Sequence, residues 1–293
     1  MNKLLTSLFL FFLLLLIKYS NAQLYNSINN PTLYNSMWLL SLKEKNLKPG
    51  VKSVQEKYYD GMYKDSVPYN NFNKMFIFDK SGKLIELIDS TGLINEFEVF
   101  HSKIKYKTIY TYNQKGDLIE SSDYTKFGQN IGKVTMEYSA NKCIEKNSSS
   151  GQSIIKNYDY KGNIIEEKTF DDAGKLFCRR NMKYDSKGYK IEEAYSVCLN
   201  KEKDIFSYDI NGNCTGVVSY SPDGQIRSKK VYKYDKLGNL IEESSFDGDN
   251  QLVWSIKVKY SNFDKFGNWL KATYSPSSPN RRIETRVRVI TYY

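Results

Sequence analysis

The stretch "YDKLGNLIEESSF" at residues 234–246 is nearly repeated as "YDYKGNIIEEKTF" at residues 158–170. Its first part is an aromatic residue, then Asp or Asn, two variable positions and Gly, and this pattern recurs along the chain. A recurring pattern of this kind predicts one structural unit repeated many times. The copies are FDKSG (78–82), YNQKG (112–116), YDYKG (158–162), FDDAG (170–174), YDSKG (184–188), YDING (208–212), YDKLG (234–238) and FDKFG (263–267), with looser copies YTKFG (124–128) and YSPDG (220–224).

Each copy carries the residue types of a type I turn. An Asp or Asn side chain at the first position accepts hydrogen bonds from the backbone of the turn, and Gly at the fourth position takes positive φ without strain. Such a Gly lets the chain re-enter a strand through a bulge. The pattern therefore predicts structural turns that end at Gly82, Gly116, Gly162, Gly174, Gly188, Gly212, Gly224, Gly238 and Gly267.

The residues between the turns alternate as they do in β-strands. In "WSIKVKY", Trp254, Ile256 and Val258 share one face, while Ser255 and Lys257 share the other. Strands of about eight residues with a turn about every 12 residues predict an antiparallel meander. Connections this short exclude parallel strands joined by crossover helices.

We therefore predict an all-β fold, a single elongated and twisted antiparallel array of hairpins with about 16 strands. Each hairpin would contact mainly its neighbours, and the array would stay open or curl into a partial shell. This repeat domain is expected at residues 51–293. An N-terminal segment at residues 23–50 precedes it, with a short helix predicted over "NSMWLLSLKEKN" at 35–46.

The first 22 residues have the pattern of a secretory signal peptide. Lys3 precedes an apolar run from Leu8 to Ile17, and the small residue Ala22 closes the segment before Gln23. We therefore expect an exported chain in the periplasm, at the cell surface or in the medium. No second apolar run of about 20 residues follows, so we expect no integral membrane segment after cleavage.

The charge of the chain favours anionic partners other than nucleic acid. Loss of Lys3 and Lys18 with the signal peptide lowers the net charge from +10 to +8. The chain has no nucleic-acid recognition motif, so an envelope glycan or polymer is the expected partner class, with a protein partner as the alternative. In the last strand Arg286 and Arg288 alternate with valines, which predicts that the two arginines share a solvated face.

Few residues suggest catalysis or a cofactor. His101 is the single histidine, so it has no second imidazole for a metal site or a proton relay. Glu pairs recur at 166–167, 192–193 and 242–243, and neighbours on a strand point to opposite faces, so we interpret them as ion-paired strand positions. Asp247 and Asp249 in "FDGDN" are candidate calcium ligands, but no full calcium-binding loop surrounds them. We predict no catalytic residue, no metal and no cofactor.

Four cysteines in an exported chain allow two disulfides in three pairings. Cys143 and Cys214 occupy the position that Leu has in other repeats, which favours a role as small core side chains. Cys178 and Cys198 flank the turn at Gly188, so we predict a disulfide between neighbouring strands.

The string Y-D-x-x-G-N-L-I-E-E, complete at 234–243 and nearly complete at 158–167, resembles the YD repeats of bacterial Rhs-type and wall-associated proteins. The resemblance covers most of the chain from Val51 to Tyr293. It implies strands that wind into a hollow shell, and we carry over the repeat architecture only.

Together these features predict an exported, non-enzymatic repeat scaffold that binds a glycan or another component of the cell envelope. One alternative is a hydrolase acting on envelope polymers, with a pocket around His101 or Asp247. The other is a protein-binding module such as an immunity or inhibitor protein.

Overall fold

The computed structural model describes residues 47–60, 72–89, 106–198, 202–277 and 283–293. Within these ranges the chain forms eighteen β-strands and no helix. The signal peptide and the helix predicted at 35–46 lie outside the described residues. The strands are β1 (Val51–Asp60), β2 (Phe72–Phe78), β3 (Leu84–Asp89), β4 (Lys107–Tyr112), β5 (Leu118–Tyr124), β6 (Asn130–Ser139), β7 (Lys142–Asn147), β8 (Ser153–Tyr158), β9 (Ile164–Phe170), β10 (Leu176–Tyr184), β11 (Lys190–Ser196), β12 (Lys203–Tyr208), β13 (Cys214–Tyr220), β14 (Ile226–Tyr234), β15 (Leu240–Asp247), β16 (Leu252–Phe263), β17 (Trp269–Pro276) and β18 (Glu284–Tyr292).

The sheet closes into a barrel. Each strand pairs in antiparallel fashion with the next one in sequence, and β18 pairs with β1 from Val51↔Tyr292 to Asp60↔Glu284. The prediction of an open array or partial shell of about 16 strands is therefore wrong. A free edge would leave a row of unpaired N–H and C=O groups, and closure pairs them.

Closure also overturns the prediction that the chain has no integral membrane segment. That prediction was based on the lack of a second long apolar run. A closed antiparallel barrel is the architecture with which strands enter membranes, and its alternating strands contain no such run. Hydropathy along this chain could not test for it.

The strand register defines an inner and an outer face. Residues directly opposite each other in paired strands share a face, so one set of alternate positions can be followed around the whole ring. One face holds buried side chains, including Val54, Lys156 and Glu193, whereas the other holds exposed ones such as Lys183 and Lys257. Side chains crowd on the concave side of a closed sheet, so the buried face is the inner one.

An apolar core lies where the two ends of the sheet meet. One cluster on β1 to β3 contains Val51, Val54, Phe76, Phe78 and Leu84, with Leu47 ahead of them. A second cluster on β16 and β17 contains Val258, Trp269 and Ala272. Burial of these side chains stabilises the closing arc of the barrel.

A buried ion pair joins the first and last strands inside this arc. Arg288 on β18 donates from Nε and Nη2 to Glu56 Oε1 on β1, at 3.0 and 2.9 Å. The arginine also lies 3.4 Å from the centre of the Trp269 ring. Arg286 is stacked between the Tyr58 and Tyr274 rings on the same face. The two arginines share a face as predicted, but that face is the inner one and not a solvated one.

Alternate turns lie at opposite ends of the barrel because successive strands run in opposite directions. We call one end the first rim, with described turns at 79–82, 113–116, 140–141, 159–162, 185–188, 209–212, 235–238 and 264–267. The other end, the second rim, has described turns at 125–128, 148–151, 171–174, 221–224 and 247–250.

Candidate functional site

The repeated Asp–x–x–Gly residues build turns, and they do not gather around one centre. In the turn at 159–162, Asp159 Oδ1 accepts the backbone N–H groups of Lys161 and Asn163, at 2.8 and 2.9 Å. Gly162 donates to the Asp159 carbonyl and has a φ of 86°. The nine glycines assigned to turns from the sequence all have φ between 78° and 88°.

The Asn that follows Gly has a role that the sequence reasoning missed. Asn163 Nδ2 donates to Asp159 Oδ2 at 2.9 Å, and the same bond joins Asn213 to Asp209 at 2.8 Å. This bond is the main cause that lowers the pKa of both carboxyls. The repeated letters "GN" in the sequence were the signal for it.

A Tyr near the first-rim end of six strands ties neighbouring hairpins together. Tyr184 Oη donates to the Ile164 carbonyl at 2.9 Å, and Tyr234 Oη donates to the Cys214 carbonyl at 2.9 Å. Equivalent bonds run from Tyr112 to Leu84, Tyr138 to Leu118, Tyr208 to Lys190 and Tyr260 to Leu240. These tyrosines therefore serve the architecture, and their hydroxyls are not free for a ligand.

The Glu pairs divide between the two faces of the sheet. Glu166, Glu192 and Glu242 point outward, and Glu167, Glu193 and Glu243 point inward. Inside, Arg180 bridges β9 and β11, with Nε 3.1 Å from Glu167 and Nη1 3.0 Å from Glu193. Burial acts to raise the pKa of Glu193, but Lys190 and Arg180 outweigh it and hold that pKa below its usual range.

A second inner cluster has carboxyls that are easier to protonate. Burial raises the pKa of Asp204, although Ser219 Oγ donates to it at 2.6 Å. Burial also raises the pKa of Glu243, whose Oε1 lies 3.7 Å from Lys230 Nζ, and lowers the pKa of that lysine. Each of these carboxyls faces a protein partner, which is the pattern of a structural network.

The outer face of β3 to β11 is largely ion-paired. Five of its lysines lie near glutamates on the same or the neighbouring strand. The pairs are Lys107–Glu86, Lys133–Glu120, Lys146–Glu137, Lys168–Glu166 and Lys183–Glu192, with N···O distances between 2.8 and 3.7 Å. Most of the lysine charge on this part of the wall is therefore matched.

The outer face of β14 to β17 is more positively charged than the ion-paired part of the wall. It carries five exposed lysines, which we call the lysine patch: Lys229, Lys233, Lys257, Lys259 and Lys271. Among the described outward positions of these four strands the one carboxylate is Glu242, which lies opposite both Lys233 and Lys257 and is 3.1 Å from Lys233 Nζ. The other four lysines form no ion pair with a described residue.

Hydroxyl groups fill the spaces between these lysines. Lys259 lies opposite Thr273, Lys271 opposite Ser261 and Lys257 opposite Ser275. Lys259 and Lys271 are therefore diagonal neighbours with like charge, near enough for their long side chains to repel each other. Ammonium and hydroxyl groups together supply hydrogen-bond donors for anionic oxygens.

The remaining candidate residues lie apart from this patch. His101 lies outside the described residues. Asp247 accepts the backbone N–H groups of Asp249 and Gln251, at 3.1 and 2.8 Å, so it caps a second-rim turn. No group of described residues could hold a metal ion.

The cysteines have structural positions. A disulfide joins Cys178 to Cys198, whose Cα atoms are 4.3 Å apart. Cys143 is a buried thiol on the inner face and Cys214 a half-buried one. Within the described ranges no helix is long and apolar enough to cross a membrane.

Comparison with known proteins gives no family for this chain. No family model and no curated protein matches it. A porin-like protein from Bacteroides uniformis is similar in structure, with a TM-score of 0.46 and 9% identity over 82% of this chain and 96% of that chain. A porin-like protein from Bacteroides vulgatus has a TM-score of 0.33 and 10% identity over 64% of this chain and 96% of that chain. Likenesses this weak carry no argument about function.

Proposed function

We propose that this chain is an exported, non-enzymatic β-barrel scaffold that binds an anionic glycan of the cell envelope through the lysine patch. The observation that carries the proposal is the uneven distribution of charge on the outer wall. Five outward lysines on β4 to β10 each have a glutamate partner, whereas the patch on β14 to β17 has five lysines and one carboxylate.

The unmatched lysines suit an extended ligand that carries many anionic groups along its length. Strands in a sheet are about 4.8 Å apart and alternate residues on one strand about 7 Å apart, so the ammonium groups form a flat grid of similar spacing. Lysine is a flexible point charge that adapts to anions without one fixed geometry. An extended polyanion can therefore contact several of the lysines at once.

The free protein also has a physical reason to bind such a ligand. Lys259 and Lys271 are diagonal neighbours, and neither has a described carboxylate partner. An anion placed between them relieves their repulsion, so part of the binding free energy comes from the protein itself. Exposed charges are screened by salt, and binding should weaken strongly above about 0.15 M ionic strength.

The test uses the mature chain from Gln23 to Tyr293 and polygalacturonate as the anionic glycan, with dextran as the neutral one. Titration calorimetry at low salt should show binding to polygalacturonate and none to dextran. The triple variant Lys257→Gln/Lys259→Gln/Lys271→Gln should bind at least about tenfold more weakly.

The matched control removes three paired lysines from the same outer wall. The variant Lys133→Gln/Lys146→Gln/Lys183→Gln lowers the net charge equally, and each of these lysines has a glutamate partner. Its affinity should fall by less than about twofold. If the two triple variants lose the same amount of affinity for polygalacturonate, net charge alone explains the binding and the proposal that the lysine patch binds the glycan is wrong. Binding of dextran with the same affinity as polygalacturonate would also refute the proposal.

A further inference from the structure

The two rims of the barrel carry opposite charges at their turn tips. The two central residues of each four-residue turn form its tip. First-rim tips have six lysines and no acidic residue: Lys80, Lys115, Lys161, Lys187, Lys236 and Lys265. In the described second-rim turns, Lys126 is accompanied by Asp172, Asp223 and Asp249. An anionic surface would therefore be attracted to the first rim in preference to the second.

The first rim also exposes apolar side chains on part of its circumference. Tyr160 and Ile210 are 93% and 91% exposed, and Leu237 and Phe266 are 58% and 45% exposed. These four tips lie between β8 and β17. The tips at 80–81 and 114–115, on the other side of the ring, are Lys, Ser and Gln.

The first-rim turns also carry six aspartates at their first positions, and the formal charge of these offsets that of the tip lysines. The second rim adds Asp171 and Asp247 to its acidic tips, so the first rim remains the less negative of the two. The carboxylates of Asp209 and Asp235 accept backbone N–H groups within the turn and the side-chain amide of the following Asn. Both oxygens of each carboxylate are therefore engaged below the tip. The lysine and the apolar side chain are the groups that a surface approaching the rim would meet.

The spacing of the tips indicates what kind of partner fits. Adjacent hairpins place their tips two strands apart, which is about 10 Å. Ile210, Leu237 and Phe266 are on successive first-rim turns, so each apolar side chain is separated from the next by polar turn residues. A rigid protein partner would need a separate pocket for each tip. A layer of lipid headgroups can instead rearrange around each apolar side chain, and the tip lysines then lie at the level of the headgroups.

We infer that the arc of the first rim from β8 to β17 docks on an anionic lipid surface, with Tyr160, Ile210, Leu237 and Phe266 inserted among the headgroups. The flanking lysines pair with the lipid anions. This docking leaves the lysine patch on the outer wall, beside the rim and not part of it. The inference does not depend on the glycan proposal.

The test is cosedimentation of the mature chain with vesicles of 70% phosphatidylcholine and 30% phosphatidylglycerol, compared with pure phosphatidylcholine. Binding is expected to the anionic vesicles only. The double variant Ile210→Ser/Leu237→Ser should reduce the bound fraction at least about fivefold. The control Phe127→Ser/Leu252→Ser removes two apolar side chains, 75% and 55% exposed, near the second rim, and its binding should change by less than about twofold.

A second readout reports insertion directly. Trp fluorescence of Leu237→Trp should shift to shorter wavelength when anionic vesicles are added, whereas Phe127→Trp should not shift. The inference is overturned if the wild-type protein does not bind the anionic vesicles, or if both double variants lose binding equally. It is also overturned if the fluorescence of Phe127→Trp shifts when vesicles are added and that of Leu237→Trp does not. Loss of vesicle binding in the lysine-patch triple variant with full binding in Ile210→Ser/Leu237→Ser would assign the lipid contact to the wall instead, and would also overturn it.

Discussion

Asn239 holds both oxygens of Asp235. Its backbone N–H donates to Oδ1 at 2.8 Å and its side-chain amide donates to Oδ2 at 2.9 Å. The Asn side chain is buried under the turn that it closes. The same arrangement at 159–163, 209–213 and 264–268 makes Asn a structural member of the repeat.

Replacement of Asn239 by Ala should therefore destabilise the barrel. The loss of one hydrogen bond to a charged group at a buried position predicts a decrease of about 1.5–3 kcal/mol in the free energy of unfolding. Denaturant titration followed by tyrosine and tryptophan fluorescence measures it. Lys175 occupies the same place in the turn at 171–174 and contributes only its backbone N–H, so Lys175→Ala should change stability by less than about 0.5 kcal/mol. Similar values for the two variants would contradict a role for the Asn side chain.

The tyrosine hydroxyls between hairpins should be separable from the tyrosine rings. Tyr184→Phe keeps the ring and removes the bond from Oη to the Ile164 carbonyl. We expect a loss of about 1 kcal/mol in the free energy of unfolding. Tyr160→Phe, at a fully exposed turn tip, serves as the control and should leave stability unchanged within about 0.5 kcal/mol. A neutral Tyr184→Phe would mean that the ring alone provides the stabilisation.

The ion pair between Glu56 and Arg288 should matter more than any pair on the outer wall. Both side chains are buried, and removal of Arg288 leaves the buried Glu56 carboxylate without its ion-pair partner. Arg288→Ala should destabilise the protein by about 3–5 kcal/mol, and Glu56→Leu/Arg288→Met should recover a large part of that loss. The exposed Lys233 has a partner in Glu242, and Lys233→Ala should cost less than about 1 kcal/mol. If Lys233→Ala and Arg288→Ala lower the free energy of unfolding equally, the ion pair between Glu56 and Arg288 contributes no more to stability than a pair on the outer wall.

The turn carboxylates should make stability depend on pH in the acid range. The Asn213 side chain, with backbone N–H groups, holds the pKa of Asp209 below its ordinary value of 3.8. A depressed pKa means that the stabilisation is fully present above the ordinary value and is lost as the pH falls toward the depressed one. The difference in melting temperature between wild type and Asp209→Asn should therefore be constant near pH 6 and shrink below about pH 4.

A double-mutant comparison identifies the cause of this pH dependence. In an Asn213→Ala background the effect of Asp209→Asn should vary less with pH, because the main donor to the carboxylate is gone. Thermal melts from pH 2.5 to 6 on the four proteins provide the measurement. A difference that stays the same down to pH 2.5 would be incompatible with a depressed pKa.

Local residue types were sufficient to predict the turns and the strand alternation. Asp235 and Gly238 determine a turn from their own conformational preferences, and alternation assigned Arg286 and Arg288 to one face. Alternation states which residues share a face, however, and not which face is inside. Both arginines were expected in solvent, whereas Arg288 is buried and Arg286 half-buried, because the side that becomes concave depends on closure of the whole sheet.

Closure itself depends on a contact that no local pattern contains. Glu56 and Arg288 are 232 positions apart in sequence. A repeat with the same unit can end as an open array or as a ring, depending on the accumulated twist and tilt of its strands. The sequence predicted an excess of positive charge but not the place of the lysine patch. That place depends on which outward lysines lack a glutamate on the neighbouring strand, and only the strand pairing shows this.

The pairing of β1 with β18 also has a consequence for the order in which the barrel assembles. Every other strand pair joins neighbours in sequence, so those hairpins can form one after another as short-range events. The last pair must bring together segments from opposite ends of the chain, with the largest loop-closure entropy in the molecule. Ring formation is therefore expected to be the slow, final step of folding, preceded by an opened curved sheet with two temporarily unpaired edges.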